Sequence, residues 1–305
     1  MKEKYVDLHI HSTNSDGLLT PQEIVKEAEQ NNVDTISITD HDFMPQRNVY
    51  KSITINHKSI RLIPGAELST DYYIGKRKIR IHILAYDAID KDGILHRELE
   101  KKRRARFEGN YAYVQMLIKK LKFLDPMDFE GFDYSKYGWL KKRIISYLDL
   151  TKYDEQDVKL LMRCLDEIKP IYPKCTFDIE EGIVLAKNAG GMTSFAHPYQ
   201  TKLNPDELRI LVQQMKSFGL DAIETFHAEA SEAENSLANN LAEEYKLLKS
   251  CGSDFHNTNL GGNKIGYGIN ENMKIERTTL SDCLIDRKKY FFDGKYKGGE
   301  KENER

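Results

Sequence analysis

Short β-rich runs alternate along this chain with stretches of helical character, and this alternation constrains the fold more than any other feature. Strands are predicted at residues 5–11, 33–39, 62–69, 79–86, 192–196, 222–226 and 249–253. Helices are predicted at residues 178–189, 205–218 and 231–248. A further helix begins at Pro21, where Thr20 and Glu23 have the spacing of a capping box. Strands separated by helices of this length predict βαβ units and a mainly parallel sheet or barrel.

The middle of the chain interrupts this alternation. Residues 96–175 contain almost no strand-like segment and are rich in Lys, Arg, Tyr and Asp. We interpret them as a helical insertion into one α/β domain, which residues 1–95 and 176–290 form together. Residues 295–305 are low in apolar side chains, and a disordered tail is predicted there.

The composition limits the classes of partner and compartment. The chain has 305 residues, with 48 acidic and 46 basic side chains and a net charge of -2, so no global charge attracts nucleic acid or an anionic membrane. None of the four cysteines forms a CxxC pair, which argues against a zinc ribbon or a thioredoxin-like motif. Scattered thiols and the lack of a long apolar run predict a cytoplasmic protein that does not span a membrane.

Histidines and carboxylates fall in or directly after the predicted strands. Seven of the nine histidines lie at such positions, the exceptions being His57 and His96. The segments concerned, in chain order, are DLHIHSTNSDG (7–17), TDHD (39–42), GAELS (65–69), RIHIL (80–84), FAHP (195–198), AIETFH (222–227) and GSDFH (252–256). The carboxyl ends of parallel strands share one rim of an α/β fold, so these side chains are predicted to meet.

The opening pair His9 and His11 illustrates the two interpretations of this pattern. Side chains at i and i+2 of a strand point to one face, about 6.5–7 Å apart. A single such pair is more often an exposed or hydrogen-bonded pair than a metal site. Six strand ends that each carry His, Asp or Glu favour the metal site instead. Imidazole and carboxylate without thiolate suit Mn²⁺, Zn²⁺ or Fe²⁺.

Taken in order, these motifs resemble the PHP (polymerase and histidinol phosphatase) family of metal-dependent phosphoesterases. The resemblance covers residues 5–90 and 176–268 and is weak across the insertion. It implies an α/β fold, a distorted (β/α)7 TIM-like barrel, with two or three divalent metal ions at the carboxyl ends of the strands. The Ser-Asp-Gly at residues 15–17 is most similar to the branch that includes nucleoside 3′,5′-bisphosphate phosphatases and 5′-to-3′ exoribonucleases.

The resemblance also implies nine metal ligands, divided among three ions. The first ion would be held by His9, His11, Glu67 and Asp254. The second would be held by Glu67, as a bridging ligand, together with His82 and His197. The third would be held by Asp16, His41 and His256.

Residues beyond the ligands are predicted to take part in catalysis and in substrate binding. His227 and Asp254 are the predicted catalytic residues, and His227 would protonate the leaving group or bind phosphate; a hydrogen-bonded structural histidine is the alternative. That branch carries an arginine facing phosphate in its insertion, and the nearest equivalent here, LKKRIISYL at residues 140–148, offers Lys141 or Arg143. Asp7 and Asp40 are predicted to fix the imidazole tautomers, and a simple strand-start residue is the alternative for Asp7.

Two further segments allow two interpretations each. KKRRARF at residues 101–107 is either a solvated helix face, which is favoured, or a surface that steers a nucleotide or RNA. GGNKIGYG at residues 261–268 is either an ordinary turn, which is favoured, or a phosphate cradle.

The function predicted from these residues is hydrolysis of a phosphate ester by a metal-activated hydroxide. The predicted substrate is a nucleoside 3′,5′-bisphosphate or the 5′ end of a short RNA. Histidinol phosphate or another small phosphomonoester is the alternative substrate. A non-catalytic metal-binding module is the alternative from another functional class. The oligomeric state cannot be deduced from the sequence.

Overall fold

The computed structural model describes residues 4–45, 47–54, 57, 59–138, 140–172, 174–257 and 262–292. The strands are β1 Tyr5–Ile10, β2 Val33–Ile38, β3 Arg61–Ile74, β4 Arg77–Tyr86, β5 Phe177–Asp178, β6 Met192–Phe195, β7 Ala222–His227 and β8 Leu248–Gly252. The α-helices are α1 Pro21–Gln30, α2 Arg47–Thr54, α3 Ile94–Lys120, α4 Leu140–Tyr147, α5 Glu155–Glu167, α6 Ile179–Asn188, α7 Pro205–Ser217, α8 Glu232–Glu244 and α9 Thr279–Phe292. The predicted tail at 295–305 lies outside the described residues.

One sheet contains all eight strands of the described residues and curves into a nearly closed barrel. Its strand order is β1-β2-β3-β4-β6-β7-β8, and the two-residue β5 pairs with β3 outside this path. The pairs β1–β2, β2–β3, β6–β7 and β7–β8 are parallel. Ile10 forms an isolated parallel bridge with Phe255, just beyond β8, so the two ends of the path approach each other. The predicted α/β fold with a distorted seven-stranded barrel is confirmed.

The distortion lies at β4, which runs antiparallel to both of its neighbours, β3 and β6. β3 and β4 form a hairpin in which Gly65 pairs with Tyr86 and Ile74 with Arg77. Gly75 in its turn has a φ of 58°, a left-handed conformation that costs glycine little. Because β4 is reversed, its residues do not reach the site from a carboxyl end, as those of the parallel strands do.

Four helices that follow strands begin with reciprocal capping. In α1, the Thr20 side chain accepts from the Glu23 N–H and the Glu23 carboxylate accepts from the Thr20 N–H, so the predicted capping box is confirmed. The same exchange occurs at the starts of α6, α7 and α8. Each box satisfies N–H groups that have no partner within the helix, and this fixes where the helix leaves the strand end.

Between β4 and β5 the described residues form helices and loops only, as predicted for the insertion. α3, α4 and α5 enclose a separate apolar core, with Val114, Leu117, Ile144 and Leu161 fully buried. Leu95 and Leu99 of α3 pack in the apolar cluster of the barrel and Arg106 of α3 contacts Asp42, so the insertion covers one part of the barrel. Within the described part of the chain, no helix has the length and apolar character needed to cross a membrane.

Candidate metal centre

All nine predicted ligands come together in one cluster of side chains. The structure forms overlapping groups whose ligand atoms lie within 4.8 Å of one another: His11, Asp16, His41 and His256; His9, His197 and Asp254; His9, His11 and Glu67; His41, Glu67 and His82. Residues more than two hundred positions apart in sequence therefore share one space, because β1 and β8 lie side by side in the barrel.

The buried carboxylate of Glu67 lies at the middle of this cluster. Its Oε1 is 2.9 Å from Nδ1 of His82 and 2.9 Å from Nε2 of His197. Its Oε2 faces three imidazoles, at 3.4 Å from Nε2 of His9, 3.2 Å from Nε2 of His11 and 3.0 Å from Nδ1 of His41. The two oxygens thus face two different sets of histidines, as a bridging ligand would.

The other two carboxylates lie on either side of His11. Oδ1 of Asp254 is 3.4 Å from Nε2 of His9 and 3.1 Å from Nε2 of His11. Asp16 is 3.6 Å from Nδ1 of His11, 3.7 Å from Nε2 of His41 and 3.4 Å from Nε2 of His256. Asp254 thus faces the two imidazoles of the β1 segment, whereas Asp16 lies between imidazoles from three segments of the chain.

Several of these buried atoms have no hydrogen-bond partner among the described residues. They are Nε2 of His9, Nε2 of His11, Nδ1 of His41, Oε2 of Glu67, Oδ1 of Asp16 and Nε2 of His227. Leaving a buried polar atom unsatisfied costs about 1–3 kcal/mol, more for a charged group. Five of these atoms belong to the predicted ligands, and their convergence on one space fits divalent cations, which bind imidazole and carboxylate lone pairs.

The charges of the cluster are strongly coupled. Burial opposes ionisation of Glu67, but His41, His82 and His9 hold its pKa well below the usual range. Asp254 is affected in the same way by His9 and His256, and its pKa also lies well below the usual range. Burial lowers the pKa of His11, but the carboxylates of Asp254 and Glu67 outweigh it and raise that pKa to about 10. The buried carboxylates thus remain anionic and need positive charge beside them, from protons or from cations.

Glu67 and His82 differ from the expectation that the ligands lie at the carboxyl ends of strands. Both lie inside the long β3–β4 hairpin, where His82 is opposite Ser69 and Glu67 is opposite Leu84. The prediction that both belong to the cluster is consistent with the structure, but the reversed β4 brings His82 there from mid-strand rather than from a carboxyl end.

Asp7 and Asp40 are buried beside the cluster, and neither carboxylate has a direct hydrogen bond to an imidazole among the described residues. Asp7 accepts from the backbone N–H groups of His9, Ser253 and Gly266 at 3.3, 3.0 and 2.8 Å. Asp40 accepts from the N–H and hydroxyl of Ser12 and from other polar groups of the loop that follows β1. Asp7 therefore fixes the backbone that carries the ligands, whereas Asp40 reaches the ring of His11 through Ser15, whose hydroxyl is 3.4 Å from Nδ1 of His11.

Glu224 contacts the ring of His9 and the backbone of His197, and sequence reasoning did not single it out. This residue of β7 is 1% exposed. Its Oε1 is 3.2 Å from Nδ1 of His9, and its Oε2 accepts from the backbone N–H of His197 at 2.7 Å. The available signal was a charged residue within an otherwise buried strand, since such residues are seldom fully buried without a partner.

His227 ends β7 and lies at the edge of the cluster. The Glu229 N–H donates to its Nδ1 at 3.1 Å, so a neutral ring carries its proton on Nε2. That Nε2 is 3.6 Å from Oδ2 of Asp254. The two predicted catalytic residues are therefore neighbours, with the protonated nitrogen directed into the site.

The two basic residues proposed from the insertion lie in different surroundings. Lys141 forms an exposed ion pair with Asp166 on α5. Arg143 is half-buried, and its guanidinium donates to the backbone carbonyls of Lys136, at 2.9 Å, and Asp133. Of the two, Arg143 lies closer to the ligands, since it donates to the carbonyl of Lys136, the neighbour of Tyr137, and the Tyr137 hydroxyl is 2.8 Å from Nε2 of His82.

The basic run at residues 101–107 divides between two faces of α3. Lys101 and Arg104 form exposed ion pairs within the helix, with Glu98 and Glu108. Arg106 instead is 5% exposed and donates to Asp42, which follows His41. The favoured interpretation, a solvated helix face, therefore holds for one face only.

The glycine-rich run is described over residues 262–268, where it forms a turn. The N–H of Gly266 donates to Asp7, and the N–H groups of Tyr267 and Gly268 both donate to the carbonyl of Lys264. These N–H groups are engaged within the protein, in agreement with the favoured interpretation of an ordinary turn.

Known proteins resemble this chain in sequence and in fold. A family model described as PHP domain matches residues 7–189. The chain is 30% identical over 258 residues to a 5′-3′ exoribonuclease of Escherichia coli, covering 82% of this chain and 84% of that protein. It is 26% identical over 270 residues to a 3′,5′-nucleoside bisphosphate phosphatase of Chromobacterium violaceum, covering 86% and 90%. An amidohydrolase structure from C. violaceum, with bound sulfate and no metal, superposes with a TM-score of 0.71 at 22% identity, covering 93% and 96%, which supports the fold.

Proposed function

The chain belongs to the PHP family and is an enzyme that hydrolyses phosphate esters, and from this we propose that its substrate is a nucleoside 3′,5′-bisphosphate or the 5′ end of a short RNA. The observation that carries the metal-dependent reaction is the set of five buried ligand atoms in one space that have no hydrogen-bond partner among the described residues. The named activities of the relatives carry the choice of substrate.

We assign the ligands as the sequence predicted. His9, His11, Glu67 and Asp254 would hold one divalent cation. Glu67 would bridge to a second, also held by His82 and His197, and Asp16, His41 and His256 would hold a third. Supporting this division, the two Glu67 oxygens face different sets of histidines, and Asp16 lies between His41 and His256. Mn²⁺, Zn²⁺ and Fe²⁺ all suit these donors.

Bound divalent cations would supply an activated water at neutral pH and positive charge for the phosphoryl oxygens. The protein itself supplies the remaining groups. His227 carries its proton on Nε2, in position to donate to the leaving oxygen of the ester. Asp254 contacts both His227 and the ligand histidines, so it aligns this donor with the centre.

Arginines supply cationic side chains near the insertion side of the centre. Arg143 is the better of the two proposed phosphate contacts, because Lys141 is paired with Asp166 at the surface. Arg80 and Arg106 lie nearby, and each contacts Tyr137, a neighbour of His41 and His82. Guanidinium groups bind phosphate oxygens through paired N–H donors, which suits a substrate with a second phosphate.

The proposal is tested by hydrolysis assays with Mn²⁺ on four substrates: 3′,5′-bisphosphoadenosine, adenosine 5′-monophosphate, histidinol phosphate and a short 5′-phosphorylated RNA. We expect His9→Ala to abolish turnover, and the matched control His57→Ala, which alters a histidine paired with Glu29 on the surface, to retain it.

Turnover of histidinol phosphate alone would replace the nucleotide substrate with the alternative phosphomonoester. Fewer than about two metal ions per chain after purification with Mn²⁺, together with no turnover of any ester, would favour a non-catalytic module and contradict the proposal.

A further inference from the structure

A tyrosine of the insertion lies directly against two of the proposed metal ligands. The hydroxyl of Tyr137 is 2.8 Å from Nε2 of His82. Its ring stacks on that of His41, with 3.6 Å between the ring centroids and an angle of 27° between the planes. The insertion therefore contributes a side chain to the centre that the barrel builds.

The loop that carries Tyr137 is fixed at several points. The Arg143 guanidinium donates to the carbonyls of Lys136 and Asp133, and the Asn110 side chain donates to the carbonyl of Tyr134 at 2.8 Å. Anchored on both α3 and α4, the loop holds the phenol in one position.

Two arginines contact Tyr137 itself. The guanidinium of Arg106 lies over the ring of Tyr137, 4.8 Å from the ring centroid, and the same guanidinium forms a buried ion pair with Asp42. Arg80, on β4, donates to the phenol oxygen at 3.3 Å. Ring and hydroxyl thus have separate contacts that set the direction in which the phenol oxygen faces His82.

The contacts of the two ring nitrogens of His82 indicate the role of Tyr137. Nδ1 of His82 faces Oε1 of Glu67 at 2.9 Å and Nε2 of His197 at 3.3 Å, so this nitrogen is directed into the centre. To bind a cation, Nδ1 must be unprotonated, and the neutral ring then carries its proton on Nε2. That N–H points at Tyr137. A metal-binding histidine generally donates the N–H of its second ring nitrogen to a nearby acceptor.

We propose that Tyr137 is a positioning residue of the metal centre: its phenol oxygen accepts from Nε2–H of His82, fixes the tautomer that binds through Nδ1, and so makes the insertion part of the cation site. The inference rests on the proposed metal-dependent function. It adds that one ion, held by Glu67, His82 and His197, depends on a loop outside the barrel.

Titration of the metal-free full-length protein with MnCl₂ by isothermal calorimetry tests this. Tyr137→Phe removes only the hydroxyl, and we expect binding to one class of site to weaken about tenfold while the other sites are unchanged. Tyr153→Phe is the matched control, because Tyr153 is an insertion tyrosine whose hydroxyl donates to Asp128 at 2.6 Å within the insertion. It should bind Mn²⁺ as the wild type does.

A double-mutant comparison separates positioning from a general structural effect. In a His82→Ala background the phenol oxygen of Tyr137 no longer has the N–H of His82 to accept from, so Tyr137→Phe should cause no further loss of Mn²⁺ affinity. Wild-type affinity in Tyr137→Phe, or an equal loss in both backgrounds, would overturn the role of Tyr137 and leave the proposed function intact. Absence of Mn²⁺ binding by the wild type would instead refute the proposed function and this inference with it.

Discussion

Replacement of Glu224 by Gln should weaken metal binding, although this residue is not among the nine proposed ligands. Glu224 is 1% exposed, and its two oxygens hold the ring of His9 and the backbone of His197. In Glu224→Gln, the amide oxygen keeps one of these contacts. The amide NH₂ then faces Nδ1 of His9, which must carry a proton if Nε2 is to bind a cation.

The expected magnitude follows from these contacts. A hydrogen bond to a charged group contributes about 1.5–3 kcal/mol, and this is the bond that His9 loses. Because 1.4 kcal/mol corresponds to about a tenfold change in an equilibrium constant, affinity should fall about 10- to 100-fold. Glu224→Ala should cost more, since the buried N–H of His197 also loses its acceptor at 2.7 Å.

Calorimetric titration with Mn²⁺ and measurement of bound metal by mass spectrometry would both report this loss. Glu229→Gln is the matched control, because Glu229 lies just beyond the same strand at the surface and accepts from Tyr199 at 3.1 Å. Mn²⁺ affinity of Glu224→Gln within about twofold of wild type would refute the argument that Glu224 sets the tautomer of His9.

Three other predictions concern stability. Chelation of the bound metal by EDTA should lower the melting temperature measured by calorimetry by about 5 °C. A metal ion present at a hundred times its Kd stabilises the folded state by about 2.7 kcal/mol, and EDTA removes this contribution. An unchanged melting temperature would contradict the presence of bound ions. Gly252→Ala should lower the free energy of unfolding in urea by about 1–3 kcal/mol and reduce bound metal, because its new Cβ would lie 2.1 Å from Cβ of His9. Wild-type values of both would show that the two strands can move apart without cost. Asp71→Asn should cost about 1 kcal/mol at pH 7. Although burial raises the pKa of Asp71, contacts with Lys78, Thr176 and Arg80 leave it below the ordinary 3.8, so this contribution is present above about pH 4 and the difference between variant and wild type should vanish as the pH falls further.

The sequence by itself determined the order of the elements and the composition of the candidate site. Strand-like runs separated by helices predicted a mainly parallel sheet or barrel, the family resemblance implied the distorted seven-stranded barrel, and the box at Thr20 and Glu23 placed the start of α1. These features are local, since they depend on side-chain periodicity and capping within a few residues. The convergence of His9, His11 and Asp254 followed from one general property, that parallel strands end at a common rim.

Only the tertiary structure decided how that site is supported. The direction of β4, and so the mid-strand position of His82, depends on pairing with β3 and β6, which no local pattern encodes. Glu224 and Tyr137 could not be distinguished from other buried acids and insertion tyrosines, because their roles arise from single contacts across the fold. Ligand atoms are recognisable by residue type, whereas the groups that orient them are defined by distance, and distance is a property of the packed chain.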